Sequence, residues 1–369
     1  MLTGSSRVQI GAPAGARYGF PVEDLRVAIV GYGLAGRTFH GALISSTPGL
    51  AVAAVVVRSA ERQELARRDH PEAQVVASLD EVWDVRPDLV VVAAPNHLHV
   101  PMARAAVDRG VAVVVDKPLA PTAEEARSLV AHARERGVLL TAFHNRRWDS
   151  DQLTLRRLLR EGELGDVLRF ESRFERWRPE LGPETKAWRD LADAPAGGIL
   201  LDLAPHLVDQ ALTLFGPVEH VYAEIDARRG GADDDVFLAL RHRAGATSHL
   251  WASAVAGAPG PRLRVLGTRG AYVVEAVDSQ EDALRAGARP GAGEWGVEPP
   301  ERWGRLVRGQ ESAPVPSEPG DWPAFYASLE RSLREGGPPP VDPEEAVAGL
   351  EVLDAARRSA ADGVVVTLG

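Results

Sequence analysis

Leu25-Arg26-Val27-Ala28-Ile29-Val30-Gly31-Tyr32-Gly33-Leu34-Ala35-Gly36 begins with six residues of strand character, turns through three spaced glycines and enters a helical pattern that reaches about Ser45. A GxGxxG turn between a strand and a helix is built to receive a dinucleotide. Its first glycine permits the tight turn, the second lets backbone approach a pyrophosphate, and the third lets helix and sheet pack closely. Free N–H groups at the helix start are then available to the anion. Tyr32, Leu34 and Ala35 join Gly31, Gly33 and Gly36 as expected cofactor contacts.

Working outward, short apolar runs at Val52-Val57, Leu89-Ala93, Val111-Val115 and Val138-Ala142 alternate with helical patterns, as strands buried on both faces of a parallel sheet do. Thr122 and Glu125 form a capping box for a helix that runs to Arg136 and stops at Gly137. The reading is an α/β Rossmann domain over residues 24–144, a doubly wound parallel sheet. From residue 145 to 369 the texture changes. Strand-like segments at Val167-Phe174, Val218-Ala227, Val236-Arg241, Thr247-Ser253, Leu263-Leu266 and Ala271-Glu275 follow one another without regular helices between them. They predict an α+β domain with an open, mostly antiparallel sheet, serving substrate binding and oligomerisation. Ala286 to Gly320, dense in glycine and proline, reads as an irregular excursion. Helices follow at Trp322-Arg334 and, opened by Asp342 and Pro343, to about Ala361. The Gly- and Ala-rich residues 1–23 read as a mobile tail without the pattern of a secretory signal.

Composition narrows the function classes. The 369 residues carry 52 acidic and 42 basic side chains, a formal charge of -10 that offers no general attraction to nucleic acid or anionic membrane. With no cysteine, disulfides, thiolate metal sites and thiol nucleophiles are excluded. Apolar runs are too short to cross a bilayer, which points to a cytoplasmic protein. Lys117 and Lys186 are the only lysines, every other basic residue being arginine. A lysine kept in so biased a chain points to a need for a compact, titratable ammonium.

Three further stretches carry chemistry. The second strand ends at Val57 and is followed by Arg58-Ser59, where an NAD binder places an acid for the ribose hydroxyls; a guanidinium and a hydroxyl suit a 2′-phosphate, so NADP(H) is expected over NAD(H). Ser59 also reads as the cap of the helix Ala60-Arg68, with Arg58 solvated. Asp116-Lys117-Pro118 lies at the carboxyl edge of the parallel sheet, where open α/β sheets bind ligands. In Gly197-Gly198-Ile199-Leu200-Leu201-Asp202-Leu203-Ala204-Pro205-His206, Asp202 and His206 are four apart, so a helix puts them on one face. Paired across a wet cleft they form an acid-base unit; the bland alternative is a structural cap and a satisfied core histidine.

Taken together and in order, Gly31-x-Gly33-x-x-Gly36, Asp116-Lys117-Pro118 and Gly197-Gly198-x-x-x-Asp202-x-x-x-His206 resemble the glucose-fructose oxidoreductase, inositol dehydrogenase and rhizopine-catabolism family, Gfo/Idh/MocA. The family's second motif most often reads Glu-Lys-Pro. Asp116 in that place, with His144-Asn145-Arg146-Arg147-Trp148-Asp149, most resembles the branch containing NADP-dependent scyllo-inositol dehydrogenases. The resemblance implies hydride transfer between NADP(H) and a hydroxyl or keto carbon of a cyclitol or sugar. In it Lys117 hydrogen-bonds the reacting oxygen, His206 exchanges its proton, and Asp202 orients the substrate or the histidine. It further implies cofactor contacts from Ala94, Pro95, Asn96, His99, Asp116, Lys117, Trp188 and Arg189, and substrate contacts from Asn145 and Arg146 where the domains join. Family members commonly pair through the sheet face that helices leave uncovered. That face is expected to be apolar, and a homodimer or homotetramer is expected. His97, His99, His144 and His206 lack the spacing of a closed ligand set, so no metal is expected. Reduction of anhydro-sugars or nucleotide-linked keto-sugars, and a non-catalytic dinucleotide-sensing regulator, are the alternatives.

Overall fold

The computed structural model describes residues 23–182, 190–191, 196–291 and 293–369. Nearly all of the expected tail, and Trp188 and Arg189, lie outside the described residues.

Six parallel strands form the first sheet: β1 (Leu25–Val30), β2 (Leu50–Val56), β3 (Gln74–Val76), β4 (Leu89–Val92), β5 (Ala112–Asp116) and β6 (Leu140–Phe143). Their order is β3-β2-β1-β4-β5-β6, the arrangement in which the chain reverses direction across the sheet at β1 and β4 and leaves a crevice there. Alternate residues of each strand go to opposite faces. Val27, Ile29, Val55, Leu89, Val91 and Val114 share one apolar cluster with Leu43 and Ile44 of the glycine-turn helix. Ala28, Val30, Val90, Val92, Val113 and Val115 share the other with Ala103, Ala106, Leu129 and Val130 from the crossover helices. Both faces are dry, which is why these strands read as unbroken apolar runs. Thr122 caps its helix as expected, its Oγ1 accepting from the Glu125 N–H at 3.3 Å.

The second sheet has nine strands: β7 (Val167–Glu175), β8 (Val218–Asp226), β9 (Asp235–His242), β10 (Thr247–Ser253), β11 (Leu263–Gly267), β12 (Gly270–Val274), β13 (Arg305–Arg308), β14 (Glu311–Pro314) and β15 (Val366–Thr367). Their order is β14-β13-β12-β11-β7-β10-β9-β8-β15. Only β7 and β10 run parallel. The Gly/Pro-dense stretch expected to be irregular thus contains the β13-β14 hairpin, which extends the sheet edge.

Helix Ala204–Phe215 and the long helix Pro343–Asp362 pack on the inner face of this sheet. The long helix also joins the two halves: Asp354 Oδ2 accepts from the Ala123 N–H at 2.8 Å, and Arg127 and Arg134 donate to Glu351 and Glu344 at 2.6 Å. Helix Pro323–Glu335 returns to the first sheet, where Phe325, Tyr326 and Leu329 complete one of its cores.

The outer sheet face is not apolar. Across β7, β10 and β9 the register sets Arg173 beside Trp251 and Trp251 beside Phe237. The Arg173 guanidinium lies 3.9 Å from the Trp251 ring centroid, and His249 closes the aromatic group. Aliphatic side chains are concentrated on the inner face because the helices cover that face alone. No described helix is long and apolar enough to cross a membrane.

Candidate active site

Gly31 sits at φ +96°, and a Cβ there would come 2.3 Å from the Ala93 carbonyl oxygen. A Cβ on Gly36 would come 1.9 Å from the Gly31 oxygen. At Gly33 the nearest atom to a Cβ would be Arg62 Nη1, at 4.0 Å. The turn is therefore packed tight on its inner side and open on its outer side, the shape of a pyrophosphate cradle. Residues Ala35–Gly41 wind with wide, π-type turns before Ala42–Ser45 closes as ordinary α-helix.

Gly33, Leu34 and Ala35 line a cleft of about 180 Å³ whose other walls include Ala94, Asn96, Asp116 and Lys117 from the first sheet. Asn145, Arg146, Asp202 and His206 reach the same cleft from the other half. Residues far apart in sequence thus converge where β1 and β4 diverge.

Lys117 is held from two sides. Its backbone N–H donates to Asp116 Oδ1 at 2.9 Å, and its ammonium donates to the Asp202 backbone carbonyl and to Asp202 Oδ1, the latter at 3.1 Å. The Lys117 side chain is 14% exposed, enough to present one N–H to a ligand. The Lys117–Pro118 peptide bond is cis.

Asp202 reaches Lys117 because of what precedes it. Gly198, at φ +88°, lets the Asp233 carboxylate come where a Cβ would lie 1.9 Å away. From there Asp233 Oδ1 accepts the Leu200 N–H at 2.6 Å and caps the short helix Ile199–Asp202. The chain then breaks at Leu203 (φ -115°) before helix Ala204–Phe215 starts. This break corrects the expected Asp202–His206 pair. The two residues are not on one continuous helical face, and the Asp202 carboxylate bonds to Lys117 instead.

His206 is 6% exposed. Its pKa is pushed well below the ordinary imidazole value, first by burial and then by the positive charges of Lys117 and Arg146. The neutral imidazole is therefore the favoured form. Its ring meets those of His144 and Phe174 edge-on, with centroids 6.4 and 6.2 Å away.

Arg146 is locked by Asp149 at 3.3 Å and Glu281 at 2.7 Å. Asn96 donates its side-chain amide to the Ala196 carbonyl at 2.9 Å and so ties the loop after β4 to the start of the glycine pair.

Several expected contacts are not among the walls of this cleft. His99 is buried, with Nδ1 at 2.7 Å from the Pro118 carbonyl and Nε2 at 2.8 Å from that of Ala94. Both nitrogens are engaged with backbone, so His99 braces the loops of Ala94 and Pro118 rather than lining the cleft. Tyr32 turns away from the cleft and donates to Asp69 at 3.2 Å. Pro95 is not among the cleft walls. Ser59 accepts the Arg62 N–H at 3.5 Å as a helix cap, and Arg58 is exposed beside it.

The structure adds Arg176, Glu281, Arg285 and Trp322 to the cleft. Each comes from a segment with no motif. For Glu281 the signal lies only in its ion pair with Arg146.

Residues 25–144 match the NAD-binding Rossmann fold of the Gfo/Idh/MocA oxidoreductase family, and residues 156–368 match that family's C-terminal alpha/beta domain. The chain belongs to the Gfo/Idh/MocA family. Among Gfo/Idh/MocA relatives it is 35% identical to scyllo-inositol 2-dehydrogenase (NADP(+)) IolW of Bacillus subtilis, over 94% of this chain and 97% of that one. It is 39% identical to the oxidoreductase YdgJ of Escherichia coli, over 92% and 97%. The solved yvaA structure from Bacillus subtilis superposes with a TM-score of 0.87 at 34% identity, covering 94% of this chain and 99% of that chain. This Gfo/Idh/MocA member is an oxidoreductase with an NAD-binding Rossmann domain.

Proposed function

We propose that the protein transfers hydride between NADP(H) and a hydroxyl- or keto-bearing carbon of a cyclitol or sugar, acting in the cytoplasm on a ring like that of scyllo-inositol. The observation that carries this reading is the convergence of Lys117, Asp202 and His206 on the cleft that Gly33, Leu34 and Ala35 border. A purely sensing protein needs a cradle but no ammonium and neutral imidazole beside it. The dinucleotide, when bound, supplies or receives the hydride. Lys117 donates to the substrate oxygen and stabilises it as negative charge develops; Asp202 fixes the ammonium in place. His206, kept neutral, takes the hydroxyl proton during oxidation and returns it during reduction. Asn145 and Arg146 contact the substrate ring. A relative named for scyllo-inositol and NADP+ supports the cyclitol class. Assay of inositols, hexoses and keto-sugars for NADP(H) turnover tests it, and absence of turnover across that panel removes it. A larger keto-sugar is favoured by one feature, a chamber of about 500 Å³ that shares the walls Arg146 and Arg176 with the cleft.

NADP(H) binds more tightly than NAD(H) in this reading. Arg58 and Ser59 stand where an acid would select NAD, and Arg62, one turn on, brings its guanidinium over Gly33. Arg58→Ala narrows the preference, and adding Arg62→Ala narrows it further. Titration of nicotinamide fluorescence measures both; equal affinities for the two cofactors in the intact protein refute the assignment.

The outer sheet face, with Arg173, Trp251 and Phe237 in one row and His249 beside it, has the aromatic and arginine composition of protein interfaces. A homodimer or homotetramer through that face is proposed. Light scattering at micromolar concentration gives its mass, and Trp251→Glu shifts it toward monomer. A monomeric intact protein speaks against it.

A further inference from the structure

His206 has to lose the proton it takes, and the cleft is a poor exit. The side chain is 6% exposed with the cleft open, and a dinucleotide and substrate cover what remains. Lys117, Arg146 and Arg262 surround it with positive charge, so an imidazolium there is short-lived. Behind it, two buried ring nitrogens have no hydrogen-bond partner among the described residues: His206 Nδ1 and His144 Nδ1. A buried polar atom without a partner calls for an explanation, and a bridging water is the usual one. The two rings meet edge-on, their centroids 6.4 Å apart at 84°.

His144 continues the path. Its Nδ1 is 3.9 Å from Asp209 Oδ2, a carboxylate that would stabilise a transient imidazolium on His144. With Asp209 and Glu345 it lines a small cavity of about 10 Å³ on the side of Pro205 and Leu350, room for about one water. Arg147 grips Asp209 at 2.6 Å and Glu345 at 2.6 Å, and the Glu345 side chain is 53% exposed. The polar chain therefore runs from the cleft to solvent without crossing the cofactor site.

We infer that His144 is a proton-relay residue, carrying the proton from His206 through the Asp209–Glu345 cavity to solvent while substrate and cofactor fill the cleft. In oxidation the C–H electron pair leaves carbon as hydride for the oxidised nicotinamide and the O–H bond releases its proton to His206. The Nδ1 proton of His206 then passes through a water to one ring nitrogen of His144, and His144 gives up the proton on its other nitrogen to the cavity. The products are ketone, reduced dinucleotide and one proton in solvent; reduction runs the same path inward. His144 touches neither substrate nor cofactor in this scheme and acts through His206.

The inference rests on the reading of His206 as the acid-base group, and the experiment separates the two. His144→Gln and His144→Phe are compared with the intact protein and His206→Gln, in the full chain, on the polyol with the highest turnover in the panel above. The His144 variants should turn over about tenfold to a hundredfold more slowly with NADP(H) affinity unchanged. Proton release to an indicator dye should lag hydride transfer, the solvent deuterium isotope effect on kcat should rise, and added imidazole should restore the rate. Undiminished turnover overturns the relay. So does a loss that imidazole does not repair and that leaves the isotope effect unchanged, because a merely structural histidine behaves in that way. Full hydride transfer in His206→Gln, or no turnover on any polyol, removes the underlying reading and the relay with it.

Discussion

Lys117→Ala and His206→Ala each lower hydride transfer by about a hundredfold or more, with NADP(H) affinity nearly intact. Both side chains border the cleft in which the proposed transfer takes place, and neither is a piece of the glycine cradle. Lys117→Arg recovers little. The ammonium sits between the Asp202 carbonyl and carboxylate and keeps one N–H for the ligand, and a planar fork cannot take that place. Asp202→Asn costs turnover and substrate affinity together, because the amide attracts the ammonium less and lets it wander. Since burial and neighbouring cations hold His206 well below the ordinary imidazole pKa, the base form persists through neutral and mildly acidic pH. Oxidation should show no loss of rate on the acid side until well below the usual histidine range. Single-turnover hydride transfer, read beside thermal unfolding for the four variants, decides the matter. Stable folding with undiminished transfer in the Lys117 and His206 variants would leave these motifs as architecture.

Much of this site was legible because its parts sit next to strong local signals. Gly31, Gly33 and Gly36 follow a strand buried on both faces, and Lys117 follows another. What the sequence concealed depends on contacts between distant segments. The spacing of Asp202 and His206 promised a shared helical face, and nothing local announces that Asp233, some thirty residues on, caps the helix early and lets the chain break at Leu203. His99 looks like its neighbours Asn96 and His97 until the Pro118 carbonyl is seen to claim one of its nitrogens. The Arg305–Arg308 strand carries no pattern because it belongs to an edge hairpin with no fully buried residue, so its residues lack the apolar alternation by which strands are read. Gln74–Val76 is too short to carry a pattern at all.

Gly36 on the tight side of the cradle and Gly33 on its open side separate architecture from binding, and they do so in opposite directions. In Gly36→Ala the new methyl meets the Gly31 carbonyl oxygen at 1.9 Å and Ile29 Cγ2 at 3.4 Å. The first of these is backbone, fixed by the Gly31 N–H donating to the Val56 carbonyl at 2.9 Å, so relief requires the helix to lift from β1. Overpacking of this kind costs about 3 kcal/mol and lowers Tm, and because the helix N-terminus moves away from the crevice, cofactor affinity falls as well. In Gly33→Ala the methyl has no neighbour nearer than the Arg62 guanidinium at 4.0 Å, the far end of a flexible side chain. That variant should fold with the melting temperature of the intact protein. Its cost appears only when a dinucleotide arrives, since the methyl occupies the space through which backbone must approach the pyrophosphate, and affinity should drop about a hundredfold or more. Circular dichroism melts paired with NADPH fluorescence titration read the two effects independently. A Gly36→Ala protein that melts like the intact one would contradict the packing. A Gly33→Ala protein of full affinity would move the pyrophosphate away from this turn, and the assignment of the cleft beside it would have to move too.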